Sequence, residues 1–201
     1  MRRIEALAIV AEQTADLPVV VTCAASGREL AAVADRPNHL YLLDAMGLAG
    51  SVATGLALAV ADAPIPRVVA IEGDGSLLMN PNVLPTGGYL RPAKLLLVLL
   101  DNGVYGATAD LPTHAGRVDL GELAAAAGWT VRRAADPVGL RGELAAALAL
   151  DGPVFLHVRI AVGNAGEVPK LLADPVVLGR RFRDWLAVRT DPARTVPGGA
   201  R

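Results

Sequence analysis

The sequence contains a single cysteine, Cys23, and very few aromatic residues. One cysteine excludes an intrachain disulfide, a Cys-x-x-Cys redox pair and a cysteine-ligated iron–sulfur cluster within this chain. Aromatic residues make up 3% of the 201 residues, which is too few for a surface on which nucleic acid bases stack. We expect Cys23 to pack in the core rather than to act as a reactive thiol.

An excess of charge and a long membrane-type segment are also missing. The formal net charge is −1, so the composition does not favour a polyanionic partner such as nucleic acid. The longest uncharged stretch, residues 45–61, is short for a membrane span and rich in Gly, Ser and Thr. The first residues lack the apolar core of a signal peptide. We therefore expect a cytoplasmic protein that binds neither nucleic acid nor a membrane.

Apolar residues, in contrast, are abundant, at 53% of the chain with a mean hydropathy of +0.41. This content fits a densely buried α/β core, or a surface that other subunits cover, and we favour the second interpretation. Apolar runs that suit buried parallel strands alternate with helical patterns, which predicts an α/β fold with a doubly wound, mainly parallel sheet and helices on both faces. The predicted strands are 19–23, 39–43, 67–71, 95–100 and 153–160. The predicted domain spans residues 1–188, and residues 189–201 are predicted to form a disordered tail.

Two polar motifs each follow an apolar run of this predicted sheet. The run 67–71 leads into Gly73 and then Asp74, and the run 95–100 leads into Asp101 and then Asn102. Ligands of open α/β sheets bind at the carboxyl ends of strands. A carboxylate and an amide oxygen suit Mg²⁺, which takes its remaining ligands from phosphates and water. Gly73, Gly75 and Ser76 offer backbone N–H groups at a turn, so the motif predicts a diphosphate site.

The segments 73–80 (GDGSLLMN) and 100–106 (LDNGVYG) resemble the thiamine diphosphate motif. They are most similar to the diphosphate-binding subunit of sulfopyruvate decarboxylase and the matching domain of phosphonopyruvate decarboxylase. The resemblance implies that Asp74, Asn102 and the carbonyl of Val104 hold Mg²⁺, and that Tyr105 and Gly106 belong to the cofactor-binding loop. Asp101 stands where the wider superfamily usually has Asn, although this subgroup often has Asp there.

A second match to the same family covers residues 26–60. It implies that Met46 supports the bent cofactor from below and that the carbonyl of Asp44 accepts a hydrogen bond from the pyrimidine amino group. The family usually has Gly-Ser where this chain has Asp44 and Ala45. Without the match, Met46 would be interpreted as a core methionine. Ser26 is either a diphosphate contact or a turn residue, and we expect Arg28 to pair with an acid on the surface.

The polar loop 107–117 contains the one histidine to which we give a candidate catalytic role, His114. In the resemblance this loop covers the cofactor and helps to select the substrate, so His114 could donate a proton or bind an acidic group. The alternative is a solvated loop histidine. His157 alternates with apolar residues in a predicted strand, and we interpret it as structural.

A glutamate that activates the pyrimidine ring is implied by the resemblance but has no good candidate in this chain. In the superfamily it lies on a second domain, and 201 residues cannot hold both domains. We therefore expect a separate pyrimidine-domain (alpha) subunit in a hetero-oligomer. The implied function is the beta subunit of a decarboxylase that depends on thiamine diphosphate and Mg²⁺ and converts a small 2-oxo acid, sulfopyruvate- or phosphonopyruvate-like, to an aldehyde.

Alternative functions remain open from the sequence. The thiamine motif also fits a carboligase or a subunit of a 2-oxoacid oxidoreductase, although many of the latter carry cluster ligands that a lone cysteine cannot supply. A degenerate, non-enzymatic scaffold is disfavoured because Asp74 and Asn102 are intact. A dinucleotide-binding motif lacks its third glycine and its acidic residue, and the lysine of a nucleotide-hydrolysing loop is absent.

Overall fold

A computed structural model of the chain describes residues 1–191. The last helix runs Pro175–Thr190, two residues beyond the predicted domain boundary. The remainder of the predicted tail, residues 192–201, lies outside the described residues. In the part of the chain that the structure describes, no helix is long and apolar enough to cross a membrane.

Within residues 1–191, eight strands and eight α-helices alternate along most of the sequence. The strands are β1 (Val19–Val21), β2 (His39–Tyr41), β3 (Val68–Gly73), β4 (Leu95–Asp101), β5 (Val104–Tyr105), β6 (Leu111–Pro112), β7 (Thr130–Ala134) and β8 (Val154–Arg159). The helices are α1 (Arg3–Gln13), α2 (Ala24–Ala34), α3 (Ala49–Ala59), α4 (Asp74–Met79), α5 (Val83–Leu90), α6 (Leu120–Ala126), α7 (Pro137–Ala149) and α8 (Pro175–Thr190). A short 3₁₀ helix covers His114–Gly116.

Six strands form one parallel sheet in the order β2-β1-β3-β4-β8-β7, which confirms the predicted fold class. The chain moves outward from β1 to β2 and then returns past β1 to form β3 on its other side. The carboxyl ends of β1 and β3 therefore flank the point where the winding direction changes, and a crevice is expected there. Strands β5 and β6 pair antiparallel in a separate hairpin above this edge.

Two apolar layers cover the sheet, one on each face. Alternate strand residues such as Val69 and Ile71 pack with helices α1, α2, α7 and α8. The intervening residues, such as Val68 and Ala70, pack with α3, α4, α5 and α6. Because both faces are covered, the central strands are apolar at nearly every position.

The local structure differs from what the sequence pattern indicates at three places. Residues 24–27 form the first turn of α2 rather than a separate turn before a helix. The dipeptide Asn80-Pro81 is typical of a helix start, but Asn80 ends α4 and α5 begins at Val83. Strand β7 at the sheet edge was not predicted at all, because its sequence, Thr-Val-Arg-Arg-Ala, is too polar for a buried strand and pairs on one side only.

The structure also explains the glycines that interrupt α5. A Cβ at Gly87 would lie 2.3 Å from the ring of Trp129, and one at Gly88 would lie 1.6 Å from the backbone oxygen of Ala127. The Trp129 Nε1–H group donates to the carbonyl of Leu84 at 2.7 Å. The two glycines are therefore required because α5 lies directly against the segment that connects α6 to β7.

Candidate functional site

A cleft of about 150 Å³ opens at the carboxyl ends of β1, β3 and β4. Ten of the eleven residues proposed from the sequence to bind the cofactor line it. They are Ser26, Met46, Gly73, Asp74, Gly75, Ser76, Asn102, Val104, Tyr105 and Gly106. Sequence segments up to 80 residues apart thus converge on one cleft, as the parallel sheet predicts.

Asp74 lies at the base of this cleft, almost fully buried, at the first position of α4. Its Oδ1 accepts the backbone N–H of Asn102 at 3.3 Å, and its Oδ2 accepts the hydroxyl of Thr113 at 2.6 Å. Burial raises the pKa of the Asp74 carboxyl, and the hydrogen bond from Thr113 partly offsets that effect. No ion pair within residues 1–191 compensates this carboxylate, so a bound cation would be its natural partner.

The second candidate ligand group follows β4, across the cleft edge from Asp74. Asn102 folds back on its own loop, and its Oδ1 accepts the N–H of Val104 at 3.1 Å. The carbonyl of Val104 accepts the N–H of Gly106 at 3.1 Å and retains a second lone pair. Gly103 has a φ of +75°, which turns the loop sharply between these two residues. The oxygens that would hold Mg²⁺ are thus an amide, a carbonyl and one carboxylate.

These hard oxygen donors fit a magnesium ion better than a transition metal. No group of three His, Cys, Asp or Glu side chains converges anywhere in residues 1–191. A site with one carboxylate and neutral oxygens leaves positions for phosphate and water ligands, as Mg²⁺ prefers. The donor set therefore fits a metal that is shared with a bound diphosphate.

The backbone beside Asp74 is shielded by an aromatic ring. A Cβ at Gly75 would lie 2.6 Å from the Cδ1 atom of Tyr105, so this ring lies directly on the start of α4. N–H groups in the first turn of a helix have no intrahelical acceptor. Gly75 therefore allows the Tyr105 ring to pack closely against this turn, where it forms one wall of the cleft.

A buried hydrogen-bond network connects the two halves of the cleft. The hydroxyl of Ser76 donates to Glu72 Oε2 at 2.5 Å and accepts the N–H of Gly47 at 2.8 Å. The Oε1 atom of Glu72 accepts the N–H of Gly50 at 3.2 Å, at the start of α3. Burial raises the pKa of Glu72, which lies in the interior of the network. The loop that carries Met46 is thereby fixed relative to the Gly-Asp-Gly segment.

Asp101, the position where the wider superfamily has Asn, has a structural role. It is fully buried, and its Oδ2 accepts from His157 Nε2 at 2.7 Å and from Arg159 Nη1 at 2.6 Å. Burial pushes the pKa of Asp101 upward, but these two hydrogen bonds outweigh it, so the pKa lies below its ordinary value. The interpretation of His157 as a structural residue agrees with this contact.

Two residues proposed from the sequence lie elsewhere in this chain. Asp44 is exposed and lines a neighbouring cleft rather than the one that contains Asp74. His114 is exposed on the 3₁₀ helix and does not line the Asp74 cleft. The proposed backbone contact of Asp44 and the proposed proton transfer by His114 remain predictions.

Sequence reasoning missed several residues in and around the cleft. Thr113, in the polar loop 107–117, does not line the cleft itself but donates to Asp74, which does. Arg3 and Asn164 are 161 positions apart, yet Arg3 Nη1 donates to Asn164 Oδ1 at 2.9 Å at the cleft edge. Cys23, expected in the core, is half-buried and lines the cleft, and burial raises the pKa of its thiol. No local pattern in the sequence indicates these contacts, because the topology creates them.

The comparisons with known proteins agree with this geometry. Residues 22–158 match the family described as thiamine pyrophosphate enzyme, C-terminal TPP binding domain. The matched region begins at the end of β1 and includes both the Gly-Asp-Gly segment and the Asn102 loop. The chain belongs to this family of thiamine pyrophosphate enzymes, and the resemblance stated from the motifs is confirmed.

Individual relatives indicate which enzymes of this family the chain is similar to. The chain is 40% identical to the sulfopyruvate decarboxylase subunit beta of Methanothermobacter thermautotrophicus over 182 residues, 90% of this chain and 94% of that protein. It is 40% identical to the phosphonopyruvate decarboxylase of Streptomyces viridochromogenes over 188 residues, which are 93% of this chain but 46% of that protein. A 2-oxoglutarate:ferredoxin oxidoreductase structure from Magnetococcus marinus superposes with a TM-score of 0.66 at 17% identity, over 92% of this chain and 74% of that one. The last comparison supports the fold alone.

Proposed function

We propose that this chain is the diphosphate-binding beta subunit of a heteromeric decarboxylase that uses thiamine diphosphate and Mg²⁺. Its substrate is a small 2-oxo acid of the sulfopyruvate or phosphonopyruvate type, and its product is an aldehyde. The observation that carries the proposal is the buried, uncompensated carboxylate of Asp74 beside the Asn102 loop, in a chain of this enzyme family.

Mg²⁺ would be held by Asp74, Asn102 and the carbonyl of Val104. A buried carboxylate whose pKa is raised by desolvation gains most from a cation, because the cation compensates its charge. The N–H groups at the start of α4 would donate hydrogen bonds to the diphosphate oxygens. Tyr105 and Gly106 would close the loop over them.

Thiamine diphosphate supplies the carbon nucleophile and the electron sink of decarboxylation when it is bound. The residues of this chain bind and orient it. Met46 lines the cleft on the α3 side, and the Glu72–Ser76 network fixes its loop. The Tyr105 ring and Leu100 at the end of β4 form apolar parts of the cleft lining.

The glutamate that acts on the pyrimidine ring would come from a separate alpha subunit. An apolar surface beside the cleft supports such a partner. Its exposed residues include Met46, Leu48, Val52, Leu58 and Met79, and α3 carries no charged residue from Ala49 to Ala59. Large exposed apolar patches are typical of protein interaction surfaces. This surface continues to the cleft mouth at Met46 and Met79, so a docked subunit would also cover the cofactor.

The proposal is tested by reconstitution. The chain is co-expressed with a pyrimidine-domain subunit encoded beside it, supplied with Mg²⁺ and thiamine diphosphate, and assayed for CO₂ release from a panel of 2-oxo acids. We expect release only from the two-subunit complex, with a preference for acids that carry a second anion. Equal release by this chain alone would contradict the two-subunit arrangement. Absence of release from every acid by a complex that binds the cofactor would contradict the assignment as a decarboxylase.

A further inference from the structure

A second cleft, of about 330 Å³, lies at the carboxyl ends of β1 and β2. It shares a wall with the Asp74 cleft, because Thr22, Cys23 and Ala24 line both. The chain segment that follows β8 closes its far side at Lys170 and Leu171. The second cleft is therefore a neighbour of the candidate cofactor site, on the side toward the edge of the sheet.

Two cations without a described partner line this second cleft, Arg28 and Lys170. Within residues 1–191 neither side chain makes an ion pair or a hydrogen bond, so the expected surface acid for Arg28 is not found. The only other lysine, Lys94, is used structurally, and its Nζ donates to the carbonyls of Val60 and Ala63 at 2.8 and 2.7 Å. Lys170 has no such role in the fold.

The remaining lining makes these cations stronger anion binders. Tyr41, Leu42 and Leu43 form an apolar wall. Charges beside apolar surface are less screened than charges in open water. Asp44 is the single acid in the lining, so the cleft carries two positive charges and one negative charge. The net charge of the lining is therefore positive, within a chain whose net charge is −1.

We propose that Arg28 and Lys170 form a subsite for a tetrahedral oxyanion, namely the distal sulfonate or phosphonate group of the substrate. A guanidinium fork and an ammonium group are both effective partners for such oxygens. The subsite would lie beside the cofactor cleft, because Thr22, Cys23 and Ala24 line both clefts. As a substrate subsite the inference rests on the proposed function; as an anion site it does not.

The first test measures anion binding by the full chain without cofactor or partner. Inorganic phosphate is titrated at low ionic strength and followed by calorimetry or NMR, with wild type, Arg28→Met and Lys170→Met. Each substitution should weaken phosphate binding roughly 10- to 100-fold, the usual weight of a charge-assisted hydrogen bond. Arg180→Met is the matched control, because Arg180 is exposed on α8 and does not line the cleft. Asp44→Asn should strengthen phosphate binding.

Two results of this titration would overturn the subsite. One is phosphate binding that neither methionine variant weakens. The other is binding that weakens equally in the Arg180→Met control, which would indicate a general charge effect.

The second test uses the two-subunit complex and compares a 2-oxo acid that carries a distal sulfonate with pyruvate, which has none. Arg28→Met and Lys170→Met should raise KM for the sulfonate acid roughly tenfold or more and leave KM for pyruvate and the affinity for thiamine diphosphate unchanged. Phosphate binding that depends on both cations, together with an unchanged KM ratio, would show a site for a free anion and overturn the assignment to substrate. Absence of CO₂ release from both acids would contradict the proposed function, whereas the phosphate titration would still decide the anion site.

Discussion

The substitution Asp74→Asn should affect stability and cofactor binding in opposite directions. Asp74 is 2% exposed, and both of its oxygens accept hydrogen bonds, from the Asn102 N–H and the Thr113 hydroxyl. An asparagine in the same place can accept from Asn102 and donate to Thr113 Oγ1, because a hydroxyl oxygen can also accept. The substitution therefore keeps two hydrogen bonds at this position and removes the buried charge, while the Thr113 hydroxyl proton and the second amide N–H need other acceptors.

The magnitude follows from the cost of that charge. Because both hydrogen bonds survive, the free energy of unfolding without metal should stay equal or rise by up to about 2 kcal/mol at neutral pH. Burial raises the pKa of Asp74 in the folded chain, so its stabilising contribution is present below the unfolded carboxyl pKa, about 4, and is lost as pH rises through the folded pKa. The stability gap between variant and wild type should therefore be small in acid and larger at neutral pH.

Urea unfolding at several pH values measures the first effect, and calorimetric titration with thiamine diphosphate and Mg²⁺ measures the second. Loss of the charged metal ligand should weaken cofactor binding by roughly 100-fold or more. Asp62→Asn is the matched control, because Asp62 is exposed and lines neither cleft. A fall in stability of more than about 1 kcal/mol, or undiminished metal-dependent cofactor binding by Asp74→Asn, would refute this reasoning.

Three further predictions concern residues around the site and its support. Gly88→Ala should lower the free energy of unfolding by about 3 kcal/mol or more in a urea titration, since its Cβ would lie 1.6 Å from a backbone oxygen. Gly55→Ala, with open space around it in α3, should instead raise the free energy of unfolding by roughly 0.5–1 kcal/mol. Similar effects of the two substitutions would contradict the packing of α5 described above. Asp101→Asn should lower stability by about 1–3 kcal/mol at pH 7. That loss should shrink as pH falls below about 4, because the folded pKa of Asp101 is depressed; a loss independent of pH would count against the ion-pair network. Gly75→Ala should displace the Tyr105 ring, because the new Cβ would lie 2.6 Å from it. The affinity for the cofactor, measured by calorimetry, should fall roughly tenfold. An affinity equal to that of the wild type would show that the ring does not line the bound cofactor.

The central part of the fold could be predicted because its signals are local. Strands β3 and β4 are apolar on both faces, and this pattern is expected only for strands of a sheet that is covered on both sides. The polar motifs directly after them are then placed on one edge by the parallel arrangement alone. Ten proposed cofactor residues share one cleft for this reason.

The elements that the sequence did not predict correctly also have physical causes. Strand β7 contains two arginines in five residues, and as an edge strand it needs no apolar run. The segment at Ser26 and Gly27 looks like a turn, yet Gly27 is needed because a Cβ there would lie 3.0 Å from the carbonyl oxygen of Thr22. Packing of α2 against the end of β1 therefore selects a residue type that local propensity assigns to a turn.

Contacts between distant segments were beyond prediction. The Arg3–Asn164 hydrogen bond joins the first helix to the loop after the last strand of the sheet, and nothing near either residue indicates the other. The predicted pairing of Arg28 with a surface acid is not found within residues 1–191. The place of Arg28 in a cleft with Lys170 depends on where the chain after β8 returns to the sheet.

The most direct test of the account is a titration of thiamine diphosphate into the assembled two-subunit complex, with and without Mg²⁺. The account predicts one bound cofactor per copy of this chain, and loss of that binding when a chelator removes the metal. Uptake that persists at full affinity after metal removal, or no uptake at all by an intact complex, would contradict the assignment of Asp74 and the Asn102 loop as the magnesium and diphosphate site.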